Sequence, residues 1–267
     1  MCNLCNLQTL NISKSRYIKK LPQGMGKLIK LRHLLTDCVK PFPKGIGRLS
    51  SLGTLNTFVI GGIDDIDGCK LGELKNLNHL KGFLRIKGLK NVTDVQEAEN
   101  AQLKDKKHLR ELRLLFDEEV EEIESVRNDE IVLKALEPHS NLEILKIDNC
   151  IGRVHPNWMK SLSNLKRLEL WKWPNLEQLL PLGKLRFLET LELRDAYSVK
   201  KVGVEFLGKE EANGKNGSTS PLVLFPNLKS LQFGGMIEWE EWDGMGERRE
   251  EEGESGVSVL ISIMPRL

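Results

Sequence analysis

The sequence has few aromatic residues and no long apolar run. Aromatics make up 6% of its 267 residues, and no stretch approaches the roughly 18 consecutive apolar residues of a membrane-spanning helix. Met1 is followed by polar residues, not by a basic and then an apolar stretch, so no secretory signal is recognised. A hydrophobic content of 40% nevertheless supports a sizeable core, which excludes a disordered chain.

The cysteines indicate neither a disulfide framework nor a strong metal site. There are five, an odd number, at irregular spacings. Cys2 and Cys5 form a lone CxxC with no second pair and no nearby histidine pair, which is a weak zinc signal. We therefore predict a reduced chain in the cytoplasm, and nuclear or membrane-associated pools are also compatible with the sequence.

Catalytic motifs are also missing. No GxSxG or HExxH occurs, and none of the five histidines pairs with another histidine or a cysteine at metal-ligand spacing. Gly24–Lys27 superficially resembles a phosphate loop, but Leu28 stands where Ser or Thr would bind magnesium. We expect no enzyme activity, no cofactor and no metal. We also expect no nucleic-acid partner, because the basic residues come with no recognition module.

Acidic residues are nearly missing from the first part of the chain. Residues 1–60 hold 10 Lys and Arg against one acid, Asp37. Residues 1–110 hold 20 against 9, whereas residues 111–267 hold 20 against 29, so a net charge of +2 hides halves of +11 and −9. Such polarity can orient a charged partner, and a merely solvated surface is the alternative.

Leucine, in contrast, is abundant and periodic. The 45 leucines recur in one phrase: Leu, two residues, Leu, one residue, then Leu or Ile, which we number as phases 1, 4 and 6. The second, third and fourth copies are weaker than the others, because each of them keeps only part of the phrase. Phase 1 falls roughly at residues 7, 31, 52, 81, 109, 142, 165, 188 and 228.

The phrase predicts a solenoid. Phases 4 and 6 point to the same face of a short strand, and one copy cannot bury its leucines alone, so neighbouring copies must stack. We predict an α/β leucine-rich-repeat solenoid: an irregular horseshoe with a parallel β-sheet on the concave face and loops and short helices on the convex face. Residues 1–267 would form a single domain of about nine repeats that is incomplete at both ends.

The segments between strands should carry turns and short helices. Leu21–Met25 and Phe42–Ile46 share an apolar-Pro-x-Gly-apolar pattern typical of return segments. Thr93 and Gln96 form a possible capping box that predicts a helix to about Lys106, and a second helix is predicted over about 129–136. We predict a mobile loop insertion at 209–221, rich in Glu, Gly, Asn and Ser.

The solvent side of the strands is the candidate binding surface. Phase 5 and phase 7 side chains should stand on the concave face, phase 5 facing solvent and phase 7 at its edge, with basic residues preceding acidic ones along phase 5. The candidates are Arg85, Arg113, Lys146, Glu169, Trp171, Glu192 and Arg194. An exposed tryptophan among charges suits a binding anchor, and packing against its own loop at Trp173 and Pro174 is the alternative for Trp171.

Several phrases go beyond a generic repeat. They include "KKLPQGMGKLIKLRHL", "LEPHSNLEILKI", "PLGKLRFLETLELRD" and, most specifically, "LKGFLRIKGLKNVTDVQEAENAQLKDKKHLRELRL". On these stretches, which follow the family's order, the chain resembles the leucine-rich-repeat region of plant disease-resistance proteins of the coiled-coil, nucleotide-binding class, as a fragment or a truncated product.

The resemblance implies two roles. The early repeats would hold a nucleotide-binding switch domain of the parent receptor closed, and later repeats would recognise a pathogen effector or a guarded host protein. The basic early repeats supply candidate contacts with the switch domain at Lys19, Lys20, Lys27 and Lys30. A free-standing interaction scaffold, a non-signalling truncated remnant and an extracellular ectodomain are the alternatives; the lack of an export signal argues against the last.

Overall fold

The strands follow one another along the chain at the spacing of the leucine phrase. The computed structural model describes residues 4–15, 17–18, 20–37, 40–62, 64–116, 129–203, 206 and 225–242. The strands are β1 (Thr9–Ile12), β2 (His33–Thr36), β3 (Thr54–Leu55), β4 (Thr57–Val59), β5 (Lys81–Lys87), β6 (His108–Leu115), β7 (Ile144–Asp148), β8 (Arg167–Trp171), β9 (Thr190–Arg194), β10 (Lys201–Val202), β11 (Ser230–Gly234) and β12 (Glu241–Trp242).

All pairs of these strands are parallel. The largest sheet has seven strands in the order β11-β9-β8-β7-β6-β5-β4, and β1-β2-β3 form a second sheet. The pair β10-β12 forms a third sheet, and Trp242 of β12 contacts Phe233 of β11. Because sequential strands pair side by side, each connection must return across the sheet to start the next strand. This is the arrangement of a leucine-rich-repeat solenoid.

The leucine phrase forms the core. In the copies that contain β6 to β9, every residue at phases 1, 4 and 6 is at most 4% exposed. In the copies that contain β1 and β11 the same positions are only partly buried. Each of these strands is at the edge of its sheet and has a neighbouring strand on one side only among the described residues. Burying a leucine fully stabilises a fold by about 1.5–3 kcal/mol, so stacking supplies most of the stability.

The copy near Lys81 begins one residue earlier than the phrase predicts. Leu80 is 1% exposed and fills the phase-1 position, whereas Lys81 is exposed. A register shift between Gly82 and Phe83 leaves Arg110 of β6 as an extra residue in the pairing, and Gly82 of β5 has a φ of +75°. The extra residue is accommodated as a β-bulge, and glycine adopts this positive φ without steric cost.

In the two other weak copies, the second and the third, threonine occupies phase 6, and the strand of the third copy is interrupted at Asn56. Thr36 and Thr57 follow the phase-4 leucines Leu34 and Leu55 at phase 6 and are buried. Asn56 lies between β3 and β4. Its side-chain Oδ1 accepts from Thr36 N at 2.9 Å, and its backbone carbonyl accepts from Arg85 N at 3.1 Å. One residue therefore connects the edges of the two sheets by hydrogen bonds.

The return segments contain short 3₁₀ helices at Gln23–Lys27, Ile46–Arg48, Leu71–Asn76, Leu89–Asn91, Leu103–Asp105 and Asn157–Ser161. A carboxylate from the following repeat often satisfies the backbone at the start of such a segment. Glu73 accepts from Gly45 N at 3.1 Å and from Gly47 N at 2.9 Å, and Glu97 accepts from Leu71 N at 2.7 Å. These bonds fix the spacing of neighbouring repeats on the side opposite the sheet.

The helices are shorter than the sequence indicates. The first, α1, covers Val95–Asn100, and Asp94 rather than Thr93 caps it by accepting from Gln96 N. It does not continue to Lys106, because Gln102 adopts a left-handed φ of +47° and a 3₁₀ turn follows. The second, α2, covers Asp129–Ala135, one residue short of the predicted end. The predicted insertion at 209–221 lies outside the described residues.

Two charged residues are buried among the described residues, Lys106 and Asp129. Lys106 is 0% exposed, and its ammonium donates to Leu74 O at 2.8 Å and to Asn78 Oδ1 at 3.0 Å. Burial lowers the pKa of Lys106 to about 8, and the nearby Asp105 only partly opposes this. The charged form is therefore less favourable in the folded state than in the unfolded chain.

The pH dependence of stability should report this lysine. Between pH 8 and about 10.4, the ordinary lysine pKa, the unfolded chain holds more protons than the folded one, so stability rises with pH by about 3 kcal/mol. Lys106→Met removes this contribution. Urea unfolding at several pH values should show the stability of Lys106→Met relative to the wild type falling by that amount. Lys104→Met, an exposed neighbour, is the control, and a pH-independent difference for Lys106→Met would contradict the assignment.

Candidate functional site

The solvent side of the seven-stranded sheet carries a continuous row of charge. Strand register places neighbouring phase-5 residues side by side on adjacent strands, about 4.8 Å apart. The row reads Arg85, Arg113, Lys146, Glu169, Glu192 and Gln232. Basic residues thus precede acidic ones in space as they do in sequence.

A second row follows at phase 7. Asp148, Trp171 and Arg194 are register partners on β7, β8 and β9. The structure therefore brings all seven concave candidates onto one sheet face. A merged surface of two rows can contact a partner that lies across several repeats.

Most charges on this face are neutralised by neighbours. Lys146 and Arg167 both contact Glu169, each at 3.6 Å, and Arg113 contacts Glu111 at 2.7 Å. Glu192 pairs with Arg194. The side chains of Lys146, Glu169 and Glu192 are only 12–16% exposed, so a ligand would first meet the more exposed arginines.

Trp171 is held between two cations. The Lys146 ammonium lies over the indole ring, and the Arg194 guanidinium lies 5.3 Å from the ring centroid. The ring is half-buried, and its Nε1 is buried with no hydrogen-bond partner among the described residues. Trp173 points elsewhere: it is fully buried and donates to Gly152 O at 2.6 Å. Trp171 is thus only partly exposed on the sheet face. The side chains that hold its ring are cations of the same face.

One aromatic residue on this face has no counterpart among the sequence candidates. Phe83 stands on β5 with the guanidinium groups of Arg85 and Arg113 5.5 Å and 5.1 Å from its ring centroid. The phrase "GFLRI" places Phe83 two residues before Arg85, on the same strand face. That period-two relation was the available signal, but the bulge at Gly82 hides it from the leucine numbering.

The basic candidates of the early repeats lie away from the sheet. Lys27 ends a return segment, Lys20 and Lys30 flank it, and all three are exposed. The Lys30 ammonium donates to Asn6 Oδ1 at 2.8 Å. Lys19 lies outside the described residues. The structure therefore separates two groups of candidates: lysines on the return side and the charged rows on the sheet side.

The described residues offer no assembled reaction centre. No group of three or more His, Cys, Asp or Glu side chains is positioned to hold a metal within this part of the chain. Burial raises the pKa of the Cys69 thiol, which disfavours the nucleophilic thiolate, and lowers the pKa of His155, which favours the neutral imidazole. Within the same residues, no helix has the length and apolarity needed to cross a bilayer.

Comparison with known proteins agrees with the repeat geometry. A family model described as R13L1/DRL21 LRRs matches residues 71–196. The disease-resistance protein RGA2 of Solanum bulbocastanum is 34% identical over 192 residues, which are 70% of this chain and 18% of that protein. An Arabidopsis thaliana protein with a disease-resistance name is 35% identical over 252 residues, 91% of this chain and 17% of its own length.

Residues 71–196 are thus similar to the R13L1/DRL21 leucine-rich repeats, and the chain is similar to a part of plant proteins with disease-resistance names. It spans less than a quarter of the length of these relatives. A solved leucine-rich-repeat protein of Leptospira interrogans is 18% identical with a TM-score of 0.30, covering 74% of this chain and 66% of its own.

The contact between Lys146 and Trp171 should contribute to stability. A partly desolvated cation over an indole contributes about 1 kcal/mol. A double-mutant cycle of Lys146→Met and Trp171→Leu, followed by urea unfolding, should give a coupling energy of about that size. The same cycle with Lys160→Met, an exposed lysine of a return segment, should give none. Equal coupling energies in both cycles would show that the contact between Lys146 and the Trp171 indole does not contribute to stability.

Proposed function

We propose that this chain is the recognition and autoinhibition module of an intracellular plant immune receptor. It would act as one cytoplasmic leucine-rich-repeat domain, without catalysis and without a cofactor of its own. The observation that carries the proposal is the register-aligned row of outward charges on a sheet built from repeats of the disease-resistance type. A solenoid presents such a row to a partner as one rigid surface.

The sheet face supports the recognition half of the proposal. Its basic and acidic ends and its single outward tryptophan give a partner three chemically different contacts within a few strands. Tryptophan and arginine are the residue types that dominate binding energy at protein interfaces. The partner would be a pathogen effector or a host protein that an effector modifies.

The return side supports the autoinhibition half. Exposed Lys20, Lys27 and Lys30 belong to the chain segment with a single acid in 60 residues. Together with Lys19 they would face an acidic surface of the nucleotide-binding switch domain, where charge complementarity sets orientation and specificity. Because these lysines and the sheet rows lie on different sides, one domain could hold the switch and sense a ligand at once.

A free-standing interaction scaffold remains the second candidate, since the same fold serves many partners. The match of residues 71–196 to the R13L1/DRL21 repeats favours the receptor module. A scaffold would have no switch domain to restrain, so the experiment on the lysines distinguishes the two.

Charge reversal on the return side should release the switch. In the parent receptor expressed in leaf tissue, changing Lys20, Lys27 and Lys30 to Glu should cause cell death without an effector, because three attractive contacts become repulsive. Reversal of Lys104, Lys107 and Lys160, exposed lysines of later repeats, is the control and should leave the receptor silent. Silence of both variants, at equal protein levels, would remove the autoinhibition claim for these residues.

Substitution of the tryptophan should affect the response to an effector instead. Candidate effectors are first co-expressed with the unaltered receptor to find one that triggers cell death. Trp171→Leu should then lose that response by tenfold or more in effector dose, about the cost of removing one interface anchor, while staying silent without the effector. Tyr197→Leu, an exposed aromatic outside the sheet, should respond normally. An unchanged response of Trp171→Leu would exclude Trp171 as an anchor.

A further inference from the structure

Arg85 differs from four other cations of the sheet face. Arg113, Lys146, Arg167 and Arg194 each contact a carboxylate of their own or a neighbouring strand. Among the described residues, no carboxylate lies within ion-pair distance of Arg85, whose guanidinium contacts the Phe83 ring. Arg85 is therefore a half-buried cation without a counter-ion in this part of the chain.

Its nearest charged neighbour on the sheet has the same sign. Register places Arg85 directly beside Arg113, and both guanidinium groups contact the same phenylalanine ring. Partial burial, reinforced by the positive charge of Arg113, lowers the pKa of Arg85, while Asp37 and Glu111 act in the opposite direction. Such an arrangement costs stability in the isolated domain, which is characteristic of groups retained for binding.

The geometry suits a carboxylate. Arginine pairs with carboxylates through two parallel hydrogen bonds, and no carboxylate of the described residues takes up the donors of Arg85. Arg113 beside it adds a second positive charge, with its Nε and one terminal nitrogen in contact with Glu111. Contact with Phe83 holds both groups in place before a ligand arrives, so little side-chain freedom is lost on binding. The ring also provides an apolar contact beside the charge.

We propose that Phe83, Arg85 and Arg113 form a binding site for a glutamate or aspartate side chain of an acidic protein segment. This proposal rests on the protein-interaction role proposed above and specifies the chemistry of the partner at β5 and β6. Only two strands carry the site, a width of about 10 Å. Glu111 lies beside it and Glu169 follows two strands on, so the face repels a long polyanion but accepts an isolated carboxylate.

The test uses the full 267-residue chain and a short fluorescein-labelled peptide of alternating glutamate and glycine. Fluorescence anisotropy should show that Arg85→Gln weakens binding about tenfold, the effect of losing a charge-assisted hydrogen-bonded pair. Arg153→Gln is the matched control, because it removes the same charge from an exposed position outside the strands, where Glu177 already neutralises it. It should weaken binding less than about twofold. Phe83→Leu should have an intermediate effect.

Folding is measured on the same variants. Arg85→Gln should keep or raise the urea midpoint, since it removes an unneutralised charge, so weaker binding cannot be ascribed to unfolding. A lowered midpoint, equal losses from both arginines, or equal binding of a glutamine-for-glutamate peptide would overturn the proposal. So would a thymidine oligonucleotide that binds as tightly with the same dependence on Arg85, because the site would then be a polyanion site. None of these outcomes changes the cell-death assays, so this proposal can fail independently of the proposed function.

Discussion

Parallel register between repeats is the constraint on which the rest of the structure depends. A single copy of the leucine phrase leaves its apolar side chains half in water, and only the next copy covers them. Once Leu112, Leu145 and Leu168 are aligned across neighbouring strands, every other phase is aligned as well. The outward rows are thus a consequence of the inward ones: the core sets the spacing at which charged residues meet.

That dependence explains why the sheet face is both ordered and largely neutral. Like charges held about 4.8 Å apart on neighbouring strands repel, so each cation placed in a row needs a carboxylate in reach. Glu111, Glu169 and Glu192 supply these, either from the same strand or from the next one. Among the described residues, Arg85 lacks this compensation, and it lies where a phenylalanine ring contacts two guanidinium groups.

The sequence predicted the repeat, the order of the strands and the composition of the outward rows, because leucine spacing fixes phase directly. For the copy predicted to start near Lys81, the buried phase-1 position is filled by Leu80, and the register shift between Gly82 and Phe83 has no counterpart in the leucine spacing. The helix predicted to reach Lys106 ends before Gln102, which has a positive φ. The sequence carries no strong signal for that positive φ, so the prediction was too long. The contacts of Trp171 with Lys146 and Arg194 could not be derived either, as they depend on rotamers across three strands.

The break at Asn56 bears on how the two halves of the molecule can work together. Here the three-stranded sheet that carries the basic early repeats meets the seven-stranded sheet that carries the charged rows, and the hydrogen bonds of one asparagine connect them. The return segments behind them are connected independently, through Glu73 and the backbone of Gly45 and Gly47. β5, which carries Phe83 and Arg85, is therefore bonded directly to the early repeats: Arg85 N donates to Asn56 O, and Lys81 N donates to Gly53 O.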